Sequence, residues 1–369
     1  MKKNVVVVGA GLVGTAVARR LALSGAKVTV LERGVPGAEA SWAAGGILSP
    51  QAECDSDGPF LRLCLDGLQA SARVVAELQE STGLVVPEIA GGTLDVATSD
   101  HEEAHLKARV LWQQAAGLQA EWLSRDDVRR VASIVDGDDV RGAAFYENER
   151  SLDPRLLFEA LRGGAQKAGC AFVRRTVTSV KADAVVVDND GAREVMHADA
   201  VVVCAGAWTP HVDGTGIGAD TVFPVKGQMV ELLHAPGAFS PVIYCHGGYL
   251  VPRQDGRVIA GSTMERAGFD KHITVAGQAK VTTMISALAP ALSEASIRHS
   301  WAGLRPGTVD GLPILGQHEN GVWLASGHFR NGVLLAAISA ERISNAIVDG
   351  VSDVDNGLVP FSPRRFSRG

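Results

Sequence analysis

Residues Val5 to Val8 form a continuous β-branched run that ends in Gly9-Ala10-Gly11-Leu12-Val13-Gly14. Beyond it, Ala16, Val17, Leu21 and Leu23 recur at helical spacing up to Ser24-Gly25. The pattern predicts a buried strand, a glycine turn and a helix. Lys27 to Leu31 reads as a second buried strand ending in Glu32, which completes a parallel βαβ unit. In this G-x-G-x-x-G, Gly9 turns the chain, Gly11 lets a pyrophosphate approach the backbone, and Gly14 lets helix and strand pack closely. The helix N-terminus offers N–H groups and a partial positive charge to that anion. Glu32 stands 21 residues after Gly11, where its carboxylate can accept from a ribose and disfavours a phosphorylated one. Taken alone, Glu32 also reads as a solvated charge; with the three glycines it reads as part of a dinucleotide site. The motif does not choose between FAD and NAD.

The composition narrows what surrounds this unit. At 369 residues, 46% hydrophobic and 21% charged, the chain reads as a soluble protein of about two domains. Its formal charge is -6 and Lys and Arg are scattered, apart from Pro363-Arg364-Arg365, so no nucleic acid is expected. The five cysteines are widely spaced and include no C-x-x-C pair, which predicts no metal site and fits a reducing cytoplasm. No apolar run approaches the roughly 20 residues that span a bilayer, so no membrane is expected. Lys2-Lys3, the stretch from Val5 to Ala18 and the triplet Ala16-Val17-Ala18 imitate a signal peptide. Cleavage there would remove all three glycines, so the stretch is read as part of the fold.

Further along, Arg33 to Pro50 is small and glycine-rich, and Phe60 to Glu80 resumes helical periodicity. Pro154 to Lys167 reads as a helix capped by Asp153, and short strands around Thr176 to Val187 lead to Ala200-Val-Val-Val-Cys-Ala-Gly206-Ala-Trp208. Strand-like stretches such as Gly92 to Ala97, Gly227 to Leu233, Gly248 to Pro252 and Arg257 to Ser262 dominate the two remaining blocks. A turn-rich stretch, Leu304 to Gly316, precedes a strand at Val322 to Ala325 and an apolar helix from Gly332 through Ile347. The expected fold is α/β: a Rossmann-like nucleotide domain (1–85, 146–220 and 302–369) interleaved with an α+β substrate domain on an antiparallel-rich sheet (86–145 and 221–301).

Three segments choose the cofactor: Ala43-Ala44-Gly45-Gly46, the strand end at Ala205-Gly206-Ala-Trp208, and Gly327-His-Phe-Arg-Asn-Gly332. With the glycine motif they resemble the D-amino acid oxidase superfamily of flavoproteins. Gln51-Ala-Glu-Cys54, Gly248-Tyr-Leu-Val-Pro-Arg253 with Gly261-Ser-Thr-Met264, and Trp301 to Gly316 resemble its glycine oxidase branch, associated with thiamine biosynthesis. The resemblance runs from Val5 to about Val348. It implies FAD held by Gly9, Gly11, Gly14, Glu32, Arg33, Ala43, Ala44, Gly45, Gly46, Ala205, Gly206, Trp208, Gly327, Phe329, Asn331 and Gly332. It also implies a small amino acid substrate, oxygen as electron acceptor and a homo-oligomer, a tetramer.

Arg305 is the first candidate for the substrate, because a guanidinium fork pairs with a carboxylate through two parallel hydrogen bonds. The matching arginine of the family holds that carboxylate, and the matching tyrosine, here Tyr249, donates its hydroxyl to it. Outside the motif, Arg305 reads as a surface arginine in a Pro-Gly turn and Tyr249 as core. Arg330 lies at a helix start, where a cation opposes the dipole, an arrangement a purely structural helix avoids. The resemblance aims the N–H groups of Gly327 to Gly332 at the flavin pyrimidine edge, with Arg330 assisting or lining the substrate cavity. His246 and His328 are candidate bases, though lone histidines are more often structural, and Glu53 reads as solvated.

Relatives that tether flavin use a cysteine near the substrate arginine or a histidine near the first glycines. This chain has no Cys from Ser300 to Gly316 and no His before His101, so its FAD is expected to be non-covalent. Gly247 and Ile47 depart from the glycine oxidase pattern at positions that bear on side-chain size. The expected reaction is oxidative deamination of glycine, sarcosine or D-alanine to a 2-oxo acid, ammonia or an amine, and hydrogen peroxide. The alternatives are a D-amino acid or imino acid dehydrogenase passing electrons to a quinone, a NAD-binding dehydrogenase sharing only the first βαβ, and a non-catalytic nucleotide-binding protein.

Overall fold

The computed structural model describes residues 2–189, 191–245 and 247–367, so His246 lies outside the described residues. Asn4–Val8 sits inside a six-stranded sheet, between Ala200–Val203 and Lys27–Glu32, both parallel to it. Ala171–Arg174 extends that sheet beyond Lys27–Glu32, and Trp323–Ser326 followed by Ile314–Gln317 extends it on the other side. Val5 and Val7 pack with the helices Leu12–Leu23, Pro59–Thr82 and Gly332–Ser344. Val6 and Val8 face the three-stranded meander Thr176–Lys181, Ala184–Asn189 and Ala192–His197. Successive side chains of a strand point to opposite faces, so a strand covered on both sides needs an unbroken apolar run rather than an alternating one.

A second, eight-stranded sheet carries the antiparallel-rich half. Its order is Ser296–Thr308, Val222–Leu233, Arg257–Gly261, Gly248–Pro252, Val242–Cys245, Thr93–Ala97, Gly142–Tyr146 and Glu121–Ser124, and only the Val242–Cys245 and Thr93–Ala97 pair is parallel. The expected α/β class with a Rossmann-like part and an antiparallel-rich sheet is the one observed.

Three details differ from the sequence reading. Asp100–Ala115 and Val275–Leu288 are helices inside the blocks read as strand-like. Their caps are local: the Ser99 hydroxyl accepts from the Glu102 N–H at 3.3 Å, and Thr274 accepts from Gly277 at 3.1 Å. The stretch read as turn-rich begins inside a 13-residue strand, Ser296–Thr308, which runs straight through Pro306 and Gly307. This strand is an edge of its sheet, where a residue without an N–H is tolerated. The last apolar helix ends at Ser344 and continues only as a wider turn, Asn345–Asp349.

Candidate active site

The glycine turn is shaped by close approaches. Gly9 has φ +101°, and a Cβ there would stand 2.5 Å from the Cys204 carbonyl oxygen. A Cβ on Gly14 would stand 2.0 Å from the Gly9 oxygen, so the helix packs on the strand only without one. Gly11 opens the helix with no side chain of its own to cap it and no acidic residue in the first turn; the Ser41 hydroxyl accepts from the Leu12 N–H at 2.8 Å. That leaves a positive helix end facing a cavity of about 520 Å³, lined by Gly9 and Gly11 at this point. Glu32 lines it too and is fixed by the backbone, accepting from Ala10 and Gly34 N–H groups at 2.9 Å each.

The remaining residues expected to hold cofactor fall mostly on the same cavity. Arg33 stacks over the Trp208 ring at 4.2 Å, and both line it, as do Ala205 and Gly206. Ala43, Ala44, Gly45 and Gly46 form another wall. That wall is pinned by the Trp301 indole donating to the Ala43 carbonyl at 3.1 Å and by Arg253 donating to the Gly45 carbonyl at 2.6 Å. Phe329, Asn331 and Gly332 close a further side. Phe329 has φ +46° and donates its N–H to the Pro306 carbonyl at 3.0 Å. Gly14 and Gly327 shape the site without lining it: a Cβ on Gly327, at φ +70°, would meet the Thr308 methyl at 2.4 Å.

Arg305 is not a turn residue. It lies in the strand Ser296–Thr308, opposite Val225, and its guanidinium crosses Gly227, where a Cβ would stand 2.0 Å from Nη1. Nη1 donates to the Thr263 carbonyl at 3.4 Å and Nη2 to the Ser262 hydroxyl, and among the described residues no carboxylate pairs with it. The Tyr249 hydroxyl also faces the cavity, and among the described residues its one hydrogen-bond partner is the Met229 sulfur at 3.4 Å, a weak acceptor. A cation and a hydroxyl without strong partners are what a carboxylate requires.

Sequence reasoning brought Arg330 to the cavity, which it lines, but missed the groups that hold it there. Glu53 is not solvated: its side chain is 11% exposed, and Oε1 accepts from the Tyr244 hydroxyl at 2.8 Å and from Arg330 at 2.9 Å. Arg330 therefore has a partner 277 residues away, and that carboxylate, foremost among its neighbours, raises its affinity for the proton. Neither Tyr244 nor Glu53 carries a local signal, since each becomes a cavity residue only through tertiary contact. The cavity lining at Arg175 to Thr178 was missed for the same reason.

His328 lines the cavity but is buried, and its Nε2 lies 3.0 Å from the Ser339 hydroxyl. Burial lowers its pKa from 6.5 to about 4, so it is neutral at physiological pH. A folded pKa below the unfolded one contributes stability that is present above pH 6.5 and lost as pH falls toward 4. We expect up to about 3 kcal/mol of acid-induced loss from this group. Denaturant unfolding at pH 7 and pH 4.5 should show a smaller difference in His328→Gln than in wild type.

Among the described residues no helix is long and apolar enough to cross a membrane, and no group of acidic, His and Cys side chains is arranged to hold a metal. The model of the FAD dependent oxidoreductase family matches residues 4–346, so the likeness extends far beyond the first βαβ. The chain is 32% identical to the glycine oxidase of Bacillus licheniformis, over 94% of this chain and 93% of the relative. It is 33% identical to the bifunctional protein ThiO/ThiG of a Synechocystis species, over 98% of this chain and 54% of the relative. The solved glycine oxidase of Geobacillus kaustophilus superposes with a TM-score of 0.91 at 28% identity, covering 100% of both chains. With a glycine cradle that a Cβ would fill, a helix end free of acidic residues in its first turn and the Glu32 carboxylate on one cavity, the chain belongs to the FAD dependent oxidoreductase family, in its glycine oxidase branch.

Proposed function

We propose that the chain oxidises the C–N bond of glycine or a small relative such as sarcosine or D-alanine, with oxygen as acceptor. The observation that carries this reading is Arg305, a cavity arginine without an acid partner among the described residues, beside the weakly partnered Tyr249 hydroxyl. These two groups take the substrate carboxylate, the arginine through its bidentate fork. The nucleotide domain (1–85, 146–220 and 302–369) holds FAD through Gly9, Gly11, Glu32 and the walls at Ala43 to Gly46, Ala205 to Trp208 and Phe329 to Gly332. The substrate domain (86–145 and 221–301) supplies Tyr249 and Tyr244. FAD, when bound, supplies the two-electron redox chemistry that the side chains lack.

The protein's own part is to bind, orient and exclude water. No base from the chain is needed when the amine binds neutral. His328 is engaged by Ser339, and Glu53 Oε1 is taken by Tyr244 and Arg330. A small side chain is in keeping with the bulk of the Tyr244 and Tyr249 rings, which stand 5.9 Å apart with Met229 and Ile47 on the same cavity. Gly247 has φ +95° and lies exposed, so it adds no bulk there. The same reading makes the enzyme a homo-oligomer, a tetramer, linked to thiamine biosynthesis. It also places it in the cytoplasm, in keeping with five free thiols.

Anaerobic flavin bleaching with a substrate panel tests the reading. Reduction should be fastest with glycine, sarcosine or D-alanine, and large L-amino acids should leave the flavin oxidised. Faster reduction by a bulky D-amino acid or a proline derivative, with an artificial acceptor outrunning peroxide release, would replace it with the quinone-linked dehydrogenase.

A further inference from the structure

The segment Gln51–Asp55 follows the cavity wall at Ala43 to Gly46 and is gripped from outside the cavity. Glu149, 1% exposed and absent from the cavity lining, accepts from the backbone N–H groups of Gln51 and Ala52 at 2.5 and 3.2 Å. Gln113 is fully buried; it donates to the Gln51 carbonyl at 3.1 Å and accepts from the Gln51 side-chain amide at 2.8 Å. Arg109 donates to the Ala52 carbonyl at 3.2 Å while pairing with Asp95 at 2.7 Å and with Asp55. The backbone leading into Glu53 is thus fixed in both directions, its N–H groups by Glu149 and its carbonyls by Gln113 and Arg109.

What the segment delivers is Glu53, whose Oε1 holds both Tyr244 and Arg330. We propose that Glu149, supported by Arg109, is a positioning residue for the amine-oxidation site: by holding the Gln51 and Ala52 N–H groups it sets where Glu53 stands and, through Glu53, where Arg330 stands. The inference rests on the reading of the cavity as an amino acid site. Glu149 is suited to the task as an acceptor rather than as a charge. Burial pushes its carboxyl up to about 8, and the Ser49 and Thr93 hydroxyls, paired with each other at 2.7 Å, lie against it. The ionisable groups turned toward it are Tyr146 and Cys64, themselves buried and held protonated. A neutral carboxyl still accepts through its carbonyl oxygen, and so does an amide.

The test compares full-length, FAD-loaded wild type with Glu149→Gln and Glu149→Leu. Two quantities are read: hydrogen-exchange protection of the Gln51 and Ala52 amides, and KM and kcat for glycine. Leu leaves two buried donors unmet, so protection should fall about tenfold and KM should rise about fivefold, more than kcat falls. Gln should restore both to within about twofold of wild type. Unchanged protection and KM in Glu149→Leu, or equal damage in Glu149→Gln, would overturn the proposal. If Glu149→Leu does not fold, Arg109→Lys decides: it keeps a cation for Asp95 but loses the fork that reaches Ala52, and KM should rise about threefold at unchanged FAD content. An unchanged KM there also overturns it. If wild type oxidises no small amino acid, the substrate reading fails, while exchange at residues 51 and 52 still decides the grip.

Discussion

Arg305→Ala should weaken glycine binding by well over tenfold while leaving FAD content near wild type. Removing one partner of a buried, hydrogen-bonded charge pair typically costs about 2–5 kcal/mol, and each 1.4 kcal/mol is roughly tenfold. The guanidinium already donates to the Ser262 hydroxyl and the Thr263 carbonyl, so its aim is set before substrate arrives. Losing those two bonds to a charged group costs about 1.5–3 kcal/mol each, less for the long one at 3.4 Å, and is partly offset because a cation without an acid partner among the described residues is also removed. Thermal stability should therefore fall only modestly. Arg305→Lys keeps charge but not the fork, and should fall between wild type and Ala. Amines without a carboxylate should be nearly indifferent to both variants. Steady-state kinetics with glycine and with such an amine, beside the flavin-to-protein absorbance ratio, check this. Unchanged glycine kinetics, or joint loss of FAD and folding, would return Arg305 to a structural role.

The legible parts of this molecule are those in which the backbone itself is the constraint. Gly9, Gly11 and Gly14 announce a turn, an approach and a packing contact within six residues, and the structure shows two of these as distances of 2.5 and 2.0 Å that no Cβ survives. The valine run was readable because a strand buried on both faces has no other composition. Arg305 was legible only through its resemblance to a motif, and its local reading as a turn residue failed because an edge strand accepts Pro306. Glu53, Tyr244 and Arg330 were not legible together. Their contacts span 191 and 277 residues, and no local periodicity encodes a pair at that separation. The helix Asp100–Ala115 shows the converse failure: its Ser99 cap and acidic first turn were in the sequence, but strand-like neighbours outweighed them.

The glycine cradle supports an equally large effect, divided between two variants that look alike in sequence. Gly11→Val should give a folded apoprotein. Gly11 has an extended, ordinary φ, and a Cβ there meets only the Ser41 hydroxyl at 3.1 Å, a short side chain that can turn away at the loss of the bond it accepts from the Leu12 N–H. The added isopropyl group instead fills the space through which a pyrophosphate approaches the helix end. Gly14→Ala should fail earlier. Its Cβ would sit 2.0 Å from the Gly9 carbonyl oxygen and 3.1 Å from the Cys204 Cβ, both at the seam of helix and sheet. Neither the backbone oxygen nor the packed strand can move aside cheaply, so overpacking of this kind costs about 1–3 kcal/mol or more. Purified Gly11→Val should therefore be colourless, with a wild-type far-ultraviolet circular dichroism spectrum and little recovery of yellow colour with added FAD. Gly14→Ala should express poorly or unfold at lower denaturant, whether or not FAD is supplied. Full FAD occupancy in Gly11→Val would remove the pyrophosphate from this helix end, and a stable, colourless Gly14→Ala would mean that the third glycine also faces the cofactor rather than the strand.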